Sequence, residues 1–100
     1  YLNQICGQDE LVFDGASFAL QSDCSLAAQL PAFRETVALT VWRRGADGWT
    51  CAEAPRETVV EGEEADYEAC VLGLRDYVEK NRFPGVVLGL SGGVDSALCA

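Results

Sequence analysis

The sequence predicts an α/β chain made of two unlike parts: strands first, then the opening of a parallel-sheet unit. Three observations carry this. Residues 1–51 hold short apolar runs punctuated by turn residues. Tyr67, Cys70, Val71, Leu74, Tyr77 and Val78 recur at a helical period. Finally, the all-apolar run Val86-Val87-Leu88-Gly89-Leu90 leads straight into Ser91-Gly92-Gly93-Val94-Asp95-Ser96.

In the first part, Tyr1 to Cys6 is an apolar-rich run and Gly7-Gln8-Asp9-Glu10 is expected as a turn. Leu11-Val12-Phe13 is a second run, ended by the turn pair Asp14-Gly15. Ser17-Phe18-Ala19-Leu20 is a third, and Gln21 to Ser25 is polar and loop-like. Thr36 to Trp42 is β-branched with apolar residues on alternate sides, the pattern of a strand. Ala46-Asp47-Gly48 turns it towards Trp49-Thr50-Cys51.

Composition shifts near Ala54-Pro55. Residues 1–56 carry 7 acids and 4 bases, and residues 57–100 carry 9 and 3. We expect residues 1–56 to form one part, 57–62 a linker, and 63–100 a second part. The second part opens on a helix. Glu63, Glu64 and Asp66 match the positive end of its dipole, and Lys80 and Arg82 the negative end. Pro84-Gly85 is expected to stop it. Val86 to Leu90 lacks polar alternation, as in a strand buried in a parallel sheet.

The stretch that follows carries the chemistry. Glycines at 92 and 93 leave no Cβ between an anion and the backbone N–H groups. A following helix would offer free N–H groups, and Ser91 and Ser96 add hydroxyls. It is not a Walker loop, because there is no lysine, nor a G-x-G-x-x-G fingerprint. It carries Asp95 instead. A carboxylate about 4 Å from a phosphate charge is repelled by about 4 kcal/mol at an effective dielectric near 20. A cation must lie between them, and Mg²⁺ bridging carboxylate and phosphate is the natural choice. The plainer alternative is a simple turn with an ordinary first-turn acid.

Composition excludes several classes. A net charge of −9 argues against nucleic-acid binding, which needs Lys and Arg. No apolar stretch is long enough to span a membrane. Five scattered cysteines without any CxxC or His argue against zinc and for buried free thiols in a reducing cytoplasm. The chain starts at Tyr1 and ends on Cys99-Ala100 inside an expected helix. We read it as a segment of a longer protein.

SGGVDS resembles the phosphate loop of the ATP pyrophosphatases. Residues 67–100 are similar to the opening of the synthetase domain of glutamine-dependent NAD synthetases, and residues 7–17, GQDELVFDGAS, to late strands of the nitrilase-type glutaminase domain before it. The resemblance implies the C-terminal strands of a nitrilase-like αββα sandwich, then the first helix-strand-loop of an adenine nucleotide alpha hydrolase-like parallel sheet. It implies ATP binding at Gly89, Leu90, Ser91, Gly92, Gly93, Val94, Asp95 and Ser96, with Mg²⁺ at Asp95. The implied reaction is amidation of deamido-NAD⁺ through an adenylate, with ammonia from glutamine. The implied parent is a cytoplasmic homo-oligomer, acting on neither nucleic acid nor membrane. The glutaminase Glu-Lys-Cys triad would lie upstream, so no catalytic residue is expected within this segment, which alone would be inactive. Cys6 stands where the family's GGQDE stretch has glycine. With Asp9 and Glu10 near it rather than a base or cation, it is not read as a nucleophile. The remaining cysteines, Phe33, Trp42 and Trp49 are read as packing residues. Two alternatives share the loop: GMP synthetases, with a different glutaminase, and tRNA-modifying enzymes, which need basic surface. A third is a non-catalytic module in which the loop only caps a helix.

Overall fold

A computed structural model describes residues 1–100. Six short strands come first: β1 (Ile5–Gln8), β2 (Leu11–Asp14), β3 (Phe18–Leu20), β4 (Leu26–Gln29), β5 (Val41–Gly45) and β6 (Gly48–Glu53). Two helices follow, α1 (Glu63–Lys80) and α2 (Val94–Cys99). The strands pair antiparallel as β1–β2, β3–β4 and β5–β6, and no pair gains a third strand.

The turns explain the pairs. Gln8 faces Leu11 across a two-residue connection whose first residue, Asp9, has φ 52°. Such hairpin turns need a left-handed residue there, and Asp tolerates it. The turn is therefore tighter than expected: Gly7 and Gln8 belong to β1. Gly45 and Gly48 close the β5–β6 hairpin around Ala46-Asp47, and here the positive φ, 113°, falls on Gly48 rather than within the connection. The loop between β3 and β4 is braced by Asp23, whose carboxylate accepts from the Ser25 N–H at 2.9 Å and its hydroxyl at 2.6 Å.

The β3–β4 pair holds the tightest packing, with Ala27 and Ala28 almost fully buried. The buried Ser17 hydroxyl donates to the Asn3 carbonyl at 3.2 Å and accepts from the Asn3 N–H at 2.9 Å. The Gln29 amide donates to the carbonyls of Ala16 and Leu30, both at 3.0 Å. Tyr1 stacks on Phe18 at 5.2 Å.

Four expectations are corrected. The strand expected over Thr36 to Trp42 begins only at Val41, and Val37 and Leu39 face solvent. Val41 pairs with Glu53, and two residues later comes Pro55. Proline lacks an N–H and ends the partner strand, so residues 36–40 have no ladder to join.

The strand expected over Val86 to Leu90 does not form, and every residue in it is exposed. The six strands pair only as β1–β2, β3–β4 and β5–β6, and none of them lies in register with this run. No parallel sheet forms; the single parallel bridge joins Gln29 and Arg56.

Helix α1 forms where expected, but its predicted apolar face is not the docked one. Tyr67, Cys70, Val71, Leu74 and Tyr77 are exposed. Leu72 is buried instead, and Gly73, Asp76 and Lys80 meet the β1–β2 hairpin. The end of α1 is also corrected. It stops well before Pro84, because Arg82 turns left-handed at φ 56°. The Arg82 N–H donates to the Glu79 carbonyl at 2.9 Å and the Phe83 N–H to the Val78 carbonyl at 3.1 Å. That double closure is the Schellman motif, with its usual apolar clasp supplied by Tyr77 against Phe83 at 5.8 Å.

Candidate functional site

The loop at Gly89–Ser96 sits at the start of α2, and its own hydroxyls shape it. Gly92 has φ 88°, a left-handed conformation that favours glycine. The Ser91 and Ser96 hydroxyls lie 3.0 Å apart. Ser91 Oγ accepts from the Gly93 N–H at 3.3 Å. Ser96 Oγ donates to the Gly93 carbonyl at 3.1 Å and accepts from the Ser91 N–H at 3.2 Å. The two serines thus brace the ring of backbone from Ser91 to Ser96. This sharpens their expected role: they hold the loop's shape before any ligand arrives.

Gly93 caps α2 in an extended conformation, without a side-chain cap. The N–H groups of a first helical turn have no partner within the helix, so this end presents donors. A Cβ added at Gly89 or Gly92 would meet nothing within 4 Å. The glycines leave the approach open on that side. Val94 and Asp95 are exposed and Ser96 half-buried. Asp95 lies in the first turn of α2, where the helix dipole favours an acid.

No three His, Cys, Asp or Glu side chains gather anywhere in the chain. Asp95 therefore offers a single carboxylate, which fits a Mg²⁺ held mainly by phosphate oxygens and water. All five cysteines are free; Cys24, Cys70 and Cys99 are exposed rather than buried, against the packing role expected of them. Their environments are surface positions on a loop and the two helices. Trp49 too is exposed, on β6. No helix is long and apolar enough to cross a membrane. An open apolar cleft of about 320 Å³, bordered by Tyr1, Leu2, Phe18, Leu30 and Val37, is lined by no residue of the loop.

One arrangement is marked in the sequence by nothing more than a charge pair at helical spacing. The β1–β2 hairpin and α1 meet backbone to backbone: a Cβ added at Gly7 would lie 2.9 Å from the Gly73 Cα. Asp76 Oδ2 accepts from the Gly7 N–H at 2.8 Å, and Lys80 Nζ donates to the Gly7 carbonyl. Only the i, i+4 spacing of Asp76 and Lys80 was visible beforehand.

Comparison with known proteins agrees with the resemblance seen in the sequence. Residues 66–100 match the family model described as NAD synthase. Over its full length the chain is 53% identical to the glutamine-dependent NAD(+) synthetase of Rhodobacter capsulatus, covering 18% of that protein. It is 42% identical to the enzyme of the same name from Acinetobacter baylyi, with 98% of the chain and 18% of the relative covered. A solved structure of glutamine-dependent NAD+ synthetase from Acinetobacter baumannii, in complex with adenosine diphosphate, superimposes with a TM-score of 0.85 at 41% identity. That match covers 99% of this chain and 18% of the other. The chain thus spans about a fifth of the length of these relatives. From Tyr1 to Ala100 it aligns with one segment of these relatives.

Proposed function

We propose that this chain carries the nucleotide loop of an enzyme that amidates deamido-NAD⁺ at the expense of ATP, using ammonia released from glutamine. The carboxylate of deamido-NAD⁺ attacks the α-phosphorus of ATP and pyrophosphate leaves. Ammonia then attacks the adenylated carbonyl and expels AMP. In this reading the backbone of Gly89–Ser96 holds ATP phosphate through the N–H groups that the Ser91–Ser96 brace leaves free, while the brace, which takes up those of Ser91 and Gly93, fixes the loop's shape so that little ordering is needed when ATP arrives. Asp95 is the group that would hold Mg²⁺ against the phosphates; the ion would neutralise charge that the loop, lacking lysine, leaves exposed.

The wider architecture belongs to the same proposal. Residues 1–56 are read as the end of a nitrilase-like glutaminase domain and 57–62 as a linker. Residues 63–100 are read as the start of an adenine nucleotide alpha hydrolase-like synthetase domain. The parent is read as a homo-oligomeric cytoplasmic enzyme whose glutaminase triad lies outside this segment. The observation that carries the reading is the match over the whole chain at 53% identity, with both parts in the same order.

The test is made on the full-length protein. With Mg-ATP, deamido-NAD⁺ and glutamine it should form NAD⁺, AMP, pyrophosphate and glutamate. Asp95→Asn and Ser91→Ala should each lower kcat/KM for ATP by about tenfold or more, the scale of losing one charge-assisted contact. Cleavage of ATP to ADP would sink the family's reaction; unchanged rates in both variants would sink the loop's role.

A further inference from the structure

Every hydrogen bond between residues 1–57 and residues 63–100 converges on the backbone of one residue, Gly7. Its N–H goes to Asp76 and its carbonyl receives Lys80, side chains one helical turn apart on α1. The spacing is a physical match. Residues at i and i+4 are stacked along a helix, and so can reach the donor and the acceptor of a single strand residue together. The pair is internally tied as well. Lys80 Nζ lies 3.7 Å from Asp76 Oδ2, and Arg75 Nε lies 3.6 Å from Asp76 Oδ1. The Asp76 side chain is only 15% exposed. Burying it is tolerable because hydrogen bonds and cations satisfy it.

The glycines make this possible. Gly7 is buried, and no Cβ would fit between it and the Gly73 backbone. Gly73 in turn faces Val12 on β2. The contact is thus a two-point clamp on a close backbone approach. It fixes α1 both in distance and along its axis. α1 is also the element that leads, through residues 81–90, to the loop at Ser91.

We propose that Asp76 and Lys80 are positioning residues that couple the two halves of the reaction, by holding the β1–β2 hairpin in one register on the helix that precedes the nucleotide loop. This rests on the function proposed above. Releasing the clamp should spare amidation fed with free ammonia and impair amidation fed by glutamine, because only the latter needs the two parts held in register. Neither residue touches the loop, ATP or the reacting carboxylate in this scheme.

The experiment compares glutamine and ammonium chloride as nitrogen sources in the full-length protein. Asp76→Ala and Lys80→Met should lower the glutamine-dependent rate about tenfold relative to the ammonia-dependent one. They should also raise the glutamate released per NAD⁺ formed. Asp76→Asn and Lys80→Arg keep the acceptor and the donor, and should restore most of the ratio. Amide hydrogen exchange over Ile5–Gln8 should quicken in the first pair and not in the second. An unchanged ratio overturns the proposal, and so does an equal loss with both nitrogen sources, the mark of a merely structural role. Unchanged exchange at Gly7 overturns it even where a variant is too unstable to assay. A wild-type protein that forms no NAD⁺ from either source would instead refute the underlying function.

Discussion

At the scale of the residue, small groups decide more than large ones. Gly7→Ala places a methyl 2.9 Å from a backbone atom that cannot rotate away. It should cost about 1–3 kcal/mol, as overpacking does. Gly73→Ala meets only the Val12 Cγ2 at 3.2 Å, a side-chain tip that can shift. It should cost clearly less, and denaturant midpoints of the two variants in the full-length protein will rank them. Asp23 gives a second test. Hydrogen bonds from the Ser25 hydroxyl and N–H favour its charged form and hold its carboxyl below the usual carboxylate range. A depressed folded-state pKa means the stabilisation is present above the unfolded-state value and is lost as pH falls through the folded one. Ser25→Ala should therefore return Asp23 towards the ordinary value, visible as an upward shift in its carboxyl NMR titration. An unmoved titration would show that the backbone contact alone suffices. The glycine turn into α2 was legible at this scale because its residues are contiguous, 91 to 96. The Gly7 clamp was not, since Asp76 and Lys80 lie 69 and 73 positions away and the residue they hold is a glycine with no side chain to mark it.

At the scale of the element, local signals were read well and partner-dependent ones were not. Turn residues found β1, β2, β3 and β6. Strand β4 went unread because Leu-Ala-Ala-Gln lacks the β-branched and aromatic residues that mark strands. Val86 to Leu90 was read as a strand from hydrophobicity alone, which cannot say whether a neighbour is at hand. The helix α1 was legible from its period, yet it has two faces. The apolar one is the more conspicuous in the sequence, while the docked one uses glycine, leucine and two charges. Its C-terminus supplies a prediction. Arg82 pays for a left-handed conformation that glycine adopts freely. Arg82→Gly should keep the closure at Phe83 and stabilise the helix end by up to about 1 kcal/mol. Slower amide exchange at Arg82 and Phe83 positions, with an unchanged or higher Tm of the full-length protein, is the expected result. A lower Tm would mean that the arginine side chain makes a contact worth more than the strain.

At the scale of the whole molecule, shape constrains behaviour. The radius of gyration is 18.5 Å and the extents are 65 × 27 × 19 Å. A compact chain of this length has a radius near 13 Å. Accessible surface is 7885 Å², against about 5,500 Å² for a compact monomer of the same mass. Only 6 of 100 residues are buried, and three of them are apolar side chains. So small a core cannot offset an ordering cost of about 1–2 kcal/mol per residue in backbone entropy. Apolar surface is left over along the whole chain, and it includes the outer face of α1 at Tyr67, Leu74 and Tyr77 and the run from Val86 to Leu90. In relatives about five times as long, the remaining chain is available to cover such faces. The isolated 100 residues should therefore show a broad, non-cooperative thermal transition and bind a hydrophobic dye, and they should not turn over ATP. The full-length protein should show a sharp transition, raised further by Mg-ATP as binding to the folded state requires. A sharp cooperative melt of residues 1–100 alone would overturn this, because it would mean that three hairpins and one clamped helix hold together without the apolar faces being covered.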